Sequence, residues 1–318
     1  MAFTGWLTYT DSSKMTNPQN IIINADDFGI SVPCSEKILE VWNAGSLTSI
    51  SVIVCSPHFE KSMELLHCQK GKLPGVGLHF TLTELFPVAL GKGSALVNNK
   101  RFKERKQVLY TLMRGLVSRG ELMEELEAQW EKLIATGIEP DHIDSHQHIH
   151  MYPEVFSVVV EFAARKKVAV RIVRPRLLLP LKPGITSIAY PVFKNVILRI
   201  TAFYCIRRYG SNYTLMNSSF ASIFDFPEGV PVTPDLYLSI VKGKRSTLLE
   251  LMIHPYSSDE QLQNLYDYKW EEKKRFLKKA ETEYRCLKCF SLCELLKKDG
   301  FNPMNYGEWK SLHHINVH

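Results

Sequence analysis

The stretch Ile21-Ile22-Ile23-Asn24-Ala25-Asp26-Asp27-Phe28-Gly29 decides the fold. Three β-branched apolar residues in a row suit a strand buried on both faces, as in a parallel sheet covered by helices. The run stops in two carboxylates and a glycine, and strand ends are where α/β proteins place their chemistry. Adjacent carboxylates repel unless a cation or a proton lies between them. In a regular strand Asp26 and Asp27 would point to opposite faces; a turn at the strand end lets both face one site.

Outward from this stretch the same rhythm repeats. A helix is expected at 33–44, with Pro33 in its first turn and Gly45 at its end. Residues 47–54 read as a strand, 57–68 as a helix and 76–82 as a strand. Residues 103–136 read as two helices broken near Gly120. Then come a short strand at 142–145, an amphipathic helix at 153–166 and a strand at 168–173. Residues 248–253 are strand-like and 268–281 form a charged helix. Strands alternating with helices predict a mainly parallel sheet, open or closed into a barrel.

The insert at 176–210 breaks the rhythm. It contains Pro180, Pro183 and Pro191 and a helical stripe of Phe193, Val196, Ile197, Ile200 and Phe203, interspersed with Lys194, Arg199, Arg207 and Arg208. The ordinary reading is a helix packing this stripe on the barrel. The functional reading is a lid, or a surface at 190–208 that meets a membrane or a lipid-linked substrate.

Composition narrows the class. The 318 residues are 45% hydrophobic and 23% charged, with net charge +6, an ordinary globular balance. No Lys/Arg run interleaves with aromatics, which argues against nucleic acid. Seven scattered cysteines do not resemble a disulfide framework. Cys286 and Cys289, followed by Cys293, lack the fourth ligand of a structural zinc site. No signal-like or membrane-spanning apolar run is present. A cytoplasmic location, with peripheral membrane contact left open, is expected.

Three further segments carry chemistry. Gly77-Leu78-His79-Phe80-Thr81-Leu82-Thr83 places a histidine in an apolar strand, where a histidine alone usually means a core residue. Asp141-His142-Ile143-Asp144-Ser145-His146-Gln147-His148-Ile149-His150 holds four of the chain's 11 histidines. If extended, His142, Asp144, His146, His148 and His150 share one face, and imidazoles beside a carboxylate suit a transition metal. Met252-Ile253-His254-Pro255 adds a histidine at another strand end. Together these supply what amide hydrolysis requires: metal ligands, a carboxylate to take a proton and a histidine to return one.

On these motifs the chain resembles the YdjC-like carbohydrate deacetylases, which include the chitooligosaccharide deacetylases. The matching pieces are NADDFG at 24–29, GLHFTLT at 77–83, HIDSHQHIHMYP at 142–153 and MIHP at 252–255. The resemblance covers about residues 20–307. It implies a single-domain α/β fold, a distorted TIM-like (β/α) barrel; the polar N-terminal arm at 1–19 and the tail at 308–318 have no counterpart in the resemblance. It implies removal of the N-acetyl group of an N-acetylated sugar, on an oligosaccharide or a lipid-linked amino sugar, by a metal-bound water. Asp27, His79 and His146 would hold one divalent ion, Mg or Zn; Asp26 would be the general base and His254 the proton donor to the amine. Asp144, His148, His150, Thr81, Arg171 and Arg174 would support these groups or touch substrate. Relatives make a homodimer plausible, and they suggest a strand followed by a helix over 283–301. The alternatives are a metal-dependent hydrolase of a phosphoester or cyclic amide, or a catalytically silent sugar- or lipid-binding relative.

Overall fold

The computed structural model describes residues 18–176, 189–210, 216–226, 230–243 and 246–312. In chain order the elements are β1 (Gln19–Phe28), α1 (Val32–Asn43), β2 (Ser49–Val52), α2 (Phe59–His67), β3 (Gly75–Phe80), the small hairpin β4 (Val97–Asn98) and β5 (Arg101–Phe102), α3 (Arg105–Met113), α4 (Arg119–Ile134), β6 (His142–Ser145), α5 (Pro153–Lys166), β7 (Ala169–Val170), α6 (Ala189–Tyr209), β8 (Ser219–Ser222), α7 (Pro234–Val241), β9 (Leu248–Ile253), α8 (Glu260–Leu265), α9 (Trp270–Leu287), α10 (Leu292–Lys298), β10 (Phe301–Pro303) and α11 (Tyr306–Leu312).

The main sheet runs β7-β6-β3-β2-β1-β9-β8, with β10 beside β1. Every pairing in it is parallel. The two edges meet again: Val170 bridges Met216 and Pro175 bridges Phe220, with the Phe220 N–H bonded to the Arg174 carbonyl at 3.1 Å. The sheet thus curls into a single-domain, distorted TIM-like barrel. Its centre is β1, where Ile21, Ile22 and Ile23 are fully buried, each contributing roughly 1.5–3 kcal/mol relative to exposure.

Local chemistry sets the ends of the elements. Ser31 caps α1 by accepting from the Cys34 N–H, and Pro33 sits in the first turn. The break between α3 and α4 falls at 114–118, earlier than Gly120. Gly115 is left-handed (φ 65°), and Ser118 and Glu121 form a reciprocal cap that starts α4 before Gly120. Helix α9 runs past residue 281 because Glu283, Tyr284 and Leu287 are buried on the barrel. Over 283–301 the order is the end of α9, then α10, then β10, so a strand followed by a helix is not what forms; Ser291 caps α10 at the Glu294 N–H.

The insert also differs from its ordinary reading. Helix α6 packs through Asn195, Ala202 and Cys205, whereas Phe193, Val196, Ile197, Ile200 and Phe203 point outward. Pro180 and Pro183 lie outside the described residues, as do nearly all of the expected N-terminal arm and residues 313–318 of the tail. Among the described residues no helix is long and apolar enough to cross a membrane.

Candidate metal centre and active site

The ends of β1, β3 and β9 and the turn after β6 open into one cavity of about 480 Å³, which Asp26, Asp27, His79, Glu84, His146, His148 and His254 help to line. Consecutive aspartates reach it together because β1 is irregular there. Its register against β2 shifts between Ala25 and Phe28, and Asp27 is left-handed at φ 68°. Gly29 (φ 93°) completes the turn; a Cβ there would lie 2.6 Å from the Ile53 carbonyl oxygen.

The Asp27 carboxylate gathers the cluster. Its Oδ1 lies 3.1 Å from His146 Nδ1 and 3.4 Å from His79 Nε2, and its Oδ2 accepts from the Tyr256 hydroxyl at 2.5 Å. Burial alone would raise its pKa, but hydrogen bonds from His146 and His79 hold it well below the usual carboxylate range. The far nitrogen of His79, Nδ1, is 2.7 Å from Asp144 Oδ1. Burial pulls His79 down, and the charge and hydrogen bond of Asp144 outweigh it, pushing the imidazole up to about 10. The far nitrogen of His146, Nε2, is buried without a hydrogen bond, 3.7 Å from Glu84 Oε2. Glu84 is itself left-handed (φ 68°) and is gripped by Lys269 and Lys273. Those lysines and His146 overcome its burial and hold it well below the usual range.

Asp26 stands in a second network. Arg171, fully buried, meets three carboxylates: Asp26 through both terminal nitrogens at 2.7 Å, Asp144 at 2.5 Å and Glu250 at 2.6 Å. The Tyr306 hydroxyl donates to the far oxygen of Glu250. His254 Nε2 lies 3.9 Å from Asp26 and 3.8 Å from Asp27. Its ring sits edge-on to Phe224 and Phe276, each at 5.0 Å, and burial there pushes its pKa down. The His254 N–H donates to Glu283 at 2.6 Å, and Tyr237 donates to the other oxygen at 2.9 Å. Burial pushes Glu283 up to about 8.

The histidine string does not keep one face. Strand β6 stops at Ser145, and Gln147 and His148 turn left-handed (φ 55° and 57°). His146 therefore reaches Asp27, and His148 lines the cavity beside Phe220. His150 turns away, bonded to Ser145 Oγ and to the Arg171 carbonyl. His142 stays inside the barrel, stacked on Tyr306. Thr81 hydrogen-bonds the His79 carbonyl, and Arg174 is exposed; neither lines the cavity. Sequence reasoning missed Glu84, Tyr256, Glu250 and Glu283. Each lies outside a recognisable pattern, and only burial (98% or more for all four) gives them their weight.

Among the described residues two sets of donors could hold a cation: Asp27, His79 and His146, or Asp26, His79 and Asp144. In the second set both carboxylates already pair with Arg171, a fixed cation that repels another. The first set joins one carboxylate, Asp27, to two imidazoles, a donor mixture suited to a divalent ion. Asp144 holds the far side of His79, as carboxylates behind metal-bound histidines do.

The profile of the YdjC-like protein family matches residues 20–297. A carbohydrate deacetylase of Geobacillus stearothermophilus is 39% identical over 158 residues, 49% of this chain and 61% of that protein. A chitooligosaccharide deacetylase of Proteus mirabilis is 34% identical over 158 residues, 48% of this chain and 59% of that one. The match thus spans about three fifths of each curated relative. A crystal structure of a proposed cellobiose-phosphate cleavage protein from Enterococcus faecalis superposes with TM-score 0.69 and 22% identity, covering 92% of this chain and 99% of that one. That likeness concerns the fold.

Proposed function

Because the chain belongs to the YdjC-like family, we propose that it is a metal-dependent hydrolase that removes the acetyl group from an N-acetylated sugar. The observation that carries this reading is the convergence of Asp27, His79 and His146 with a second carboxylate, Asp26, and a histidine, His254, within 4 Å of each other on the same cavity. The names of the deacetylase relatives support the bond and the substrate class.

Asp27, His79 and His146 would hold one divalent ion. Such an ion polarises a carbonyl and acidifies water. Zinc suits two imidazoles on ligand softness, and magnesium is the alternative. Asp26, oriented by the two-armed grip of Arg171, takes the proton of the attacking water. His254 stands on the other side of the pair, Asp26 and Asp27 both near its Nε2, and returns a proton to the departing amine. His148 and the aromatic wall of Phe224 and Phe276 line the space left for the sugar.

The test is acetate release from a panel of N-acetylated sugars, soluble and lipid-linked, by chelator-stripped and metal-restored protein. Metal-dependent acetate supports the reading. Metal-dependent phosphate or ring-opened amide with no acetate would replace it with a phosphoester or cyclic-amide hydrolase. Binding of the sugars without any product would make the chain a silent binding relative.

A further inference from the structure

Large apolar side chains left in water are unevenly placed on this protein. Among the described residues twelve stand exposed, and six of them, Phe193, Val196, Ile197, Ile200, Phe203 and Tyr204, lie on α6. Three more, Tyr110, Met113 and Leu116, lie on α3 or just beyond it. Both helices touch the cavity: Arg105, the first residue of α3, and Lys194 of α6 line it. A concentration of apolar residues on the rim of a site marks a surface that meets something.

The spacing on α6 shows that this is a face rather than a frayed core. Asn195, Ala202 and Cys205 are buried, with Leu198, Ile206 and Tyr209 packed against the core. The exposed residues recur every three or four positions on the opposite side. Charge then selects the occupant. Helix α6 has four basic residues and no acidic one in 21. Lys194 is paired with Asp225 and Arg199 with the Pro175 carbonyl, which leaves Arg207 and Arg208 exposed at the end of the apolar face. Two copies meeting through this face would bring like charges together. An anionic bilayer offers apolar depth and opposite charge at once, which is how interfacial helices bind.

We infer that the outward face of α6 docks on an anionic lipid surface and holds the cavity mouth at the headgroups. Resting on the deacetylase reading, this makes the substrate an N-acetylated amino sugar carried on a lipid. Docking itself does not depend on that chemistry and is measured without it.

The experiment is co-sedimentation of the full chain with vesicles of phosphatidylcholine alone or mixed with phosphatidylglycerol, with sedimentation velocity in the absence of lipid. The expected result is pelleting with the mixed vesicles, little with the neutral ones, and a monomer in solution. Changing Phe193→Ser, Ile200→Ser and Phe203→Ser together should abolish pelleting while thermal melting stays unchanged. Arg207→Gln with Arg208→Gln should weaken it about fivefold per arginine. Full recovery of the folded protein in the supernatant with mixed vesicles overturns the inference. So does a dimer that the triple serine variant dissociates, since the face would then belong to a second copy.

Discussion

Arg171 holds Asp26 by both arms, Nη1 2.7 Å from Oδ2 and Nη2 2.7 Å from Oδ1. The fork fixes the carboxylate in one orientation, with its Oδ2 3.9 Å from His254 Nε2. In the proposed reading Asp26 stands outside the ligand set of Asp27, His79 and His146, although it is adjacent in sequence to Asp27. Asp26→Asn should lower kcat by about 10²–10⁴-fold while metal content, measured by atomic absorption, stays at the level of the unaltered protein. Loss of metal together with activity would place Asp26 among the ligands instead.

The carboxylates behind the two imidazoles are expected to set metal affinity. Asp144 holds His79 and Glu84 approaches His146. Asp144→Asn or Glu84→Gln should weaken metal binding by about 10–100-fold, read by competition with a chromogenic chelator. Unchanged affinity in Glu84→Gln would mean that Lys269 and Lys273, and not His146, are its business.

Proton release should accompany metal binding. With His79 pushed up to about 10 by Asp144, the metal-free protein carries a proton there at neutral pH, and a ligand must lose it. Calorimetric titration in buffers of different ionisation heat should report release of about one proton at pH 7. The same shift has a sign for stability. The folded state holds this proton more tightly than the unfolded chain, so its contribution is complete below about 6.5 and is lost as pH rises toward about 10. Metal-free protein should melt at progressively lower temperature across that window, and Asp144→Asn should flatten the trend.

Glu283 should matter through the backbone it holds. Glu283→Ala leaves the His254 N–H and the Tyr237 hydroxyl without their acceptor, at about 1–3 kcal/mol for each buried group, visible in chemical denaturation. Glu283→Gln keeps an acceptor for the N–H and a donor for the phenol, and should melt close to the unaltered protein. An equal loss in both variants would show that the charge, and not the hydrogen bonds, is what counts there.

Much of the barrel was legible because its signals are local. The β-branched run at Ile21–Ile23, the strand at 142–145 and the helix at 153–166 follow from burial, alternation and caps that act within a few residues. The misplaced break at Gly120 and the extended α9 show the limit: a reciprocal cap outweighed a glycine, and tertiary packing of Glu283, Tyr284 and Leu287 outweighed a charged pattern. The stripe on α6 was visible as a period but not as a direction, since periodicity says which residues share a face and nothing about what that face meets.

For the site, the sequence by itself determined the cast: paired aspartates and histidines at strand ends, in motifs dense enough to indicate a divalent ion. Tertiary structure alone decided the geometry. The bulge at Asp27 turned two neighbouring carboxylates into one cavity, and the left-handed turn at Gln147 and His148 broke the histidine string. Arg171, Glu84, Glu250 and Glu283 acquired their partners from segments 27 or more residues away in the chain. Their roles depend on distance and burial between elements remote in the chain, and a sequence encodes those only through the completed fold.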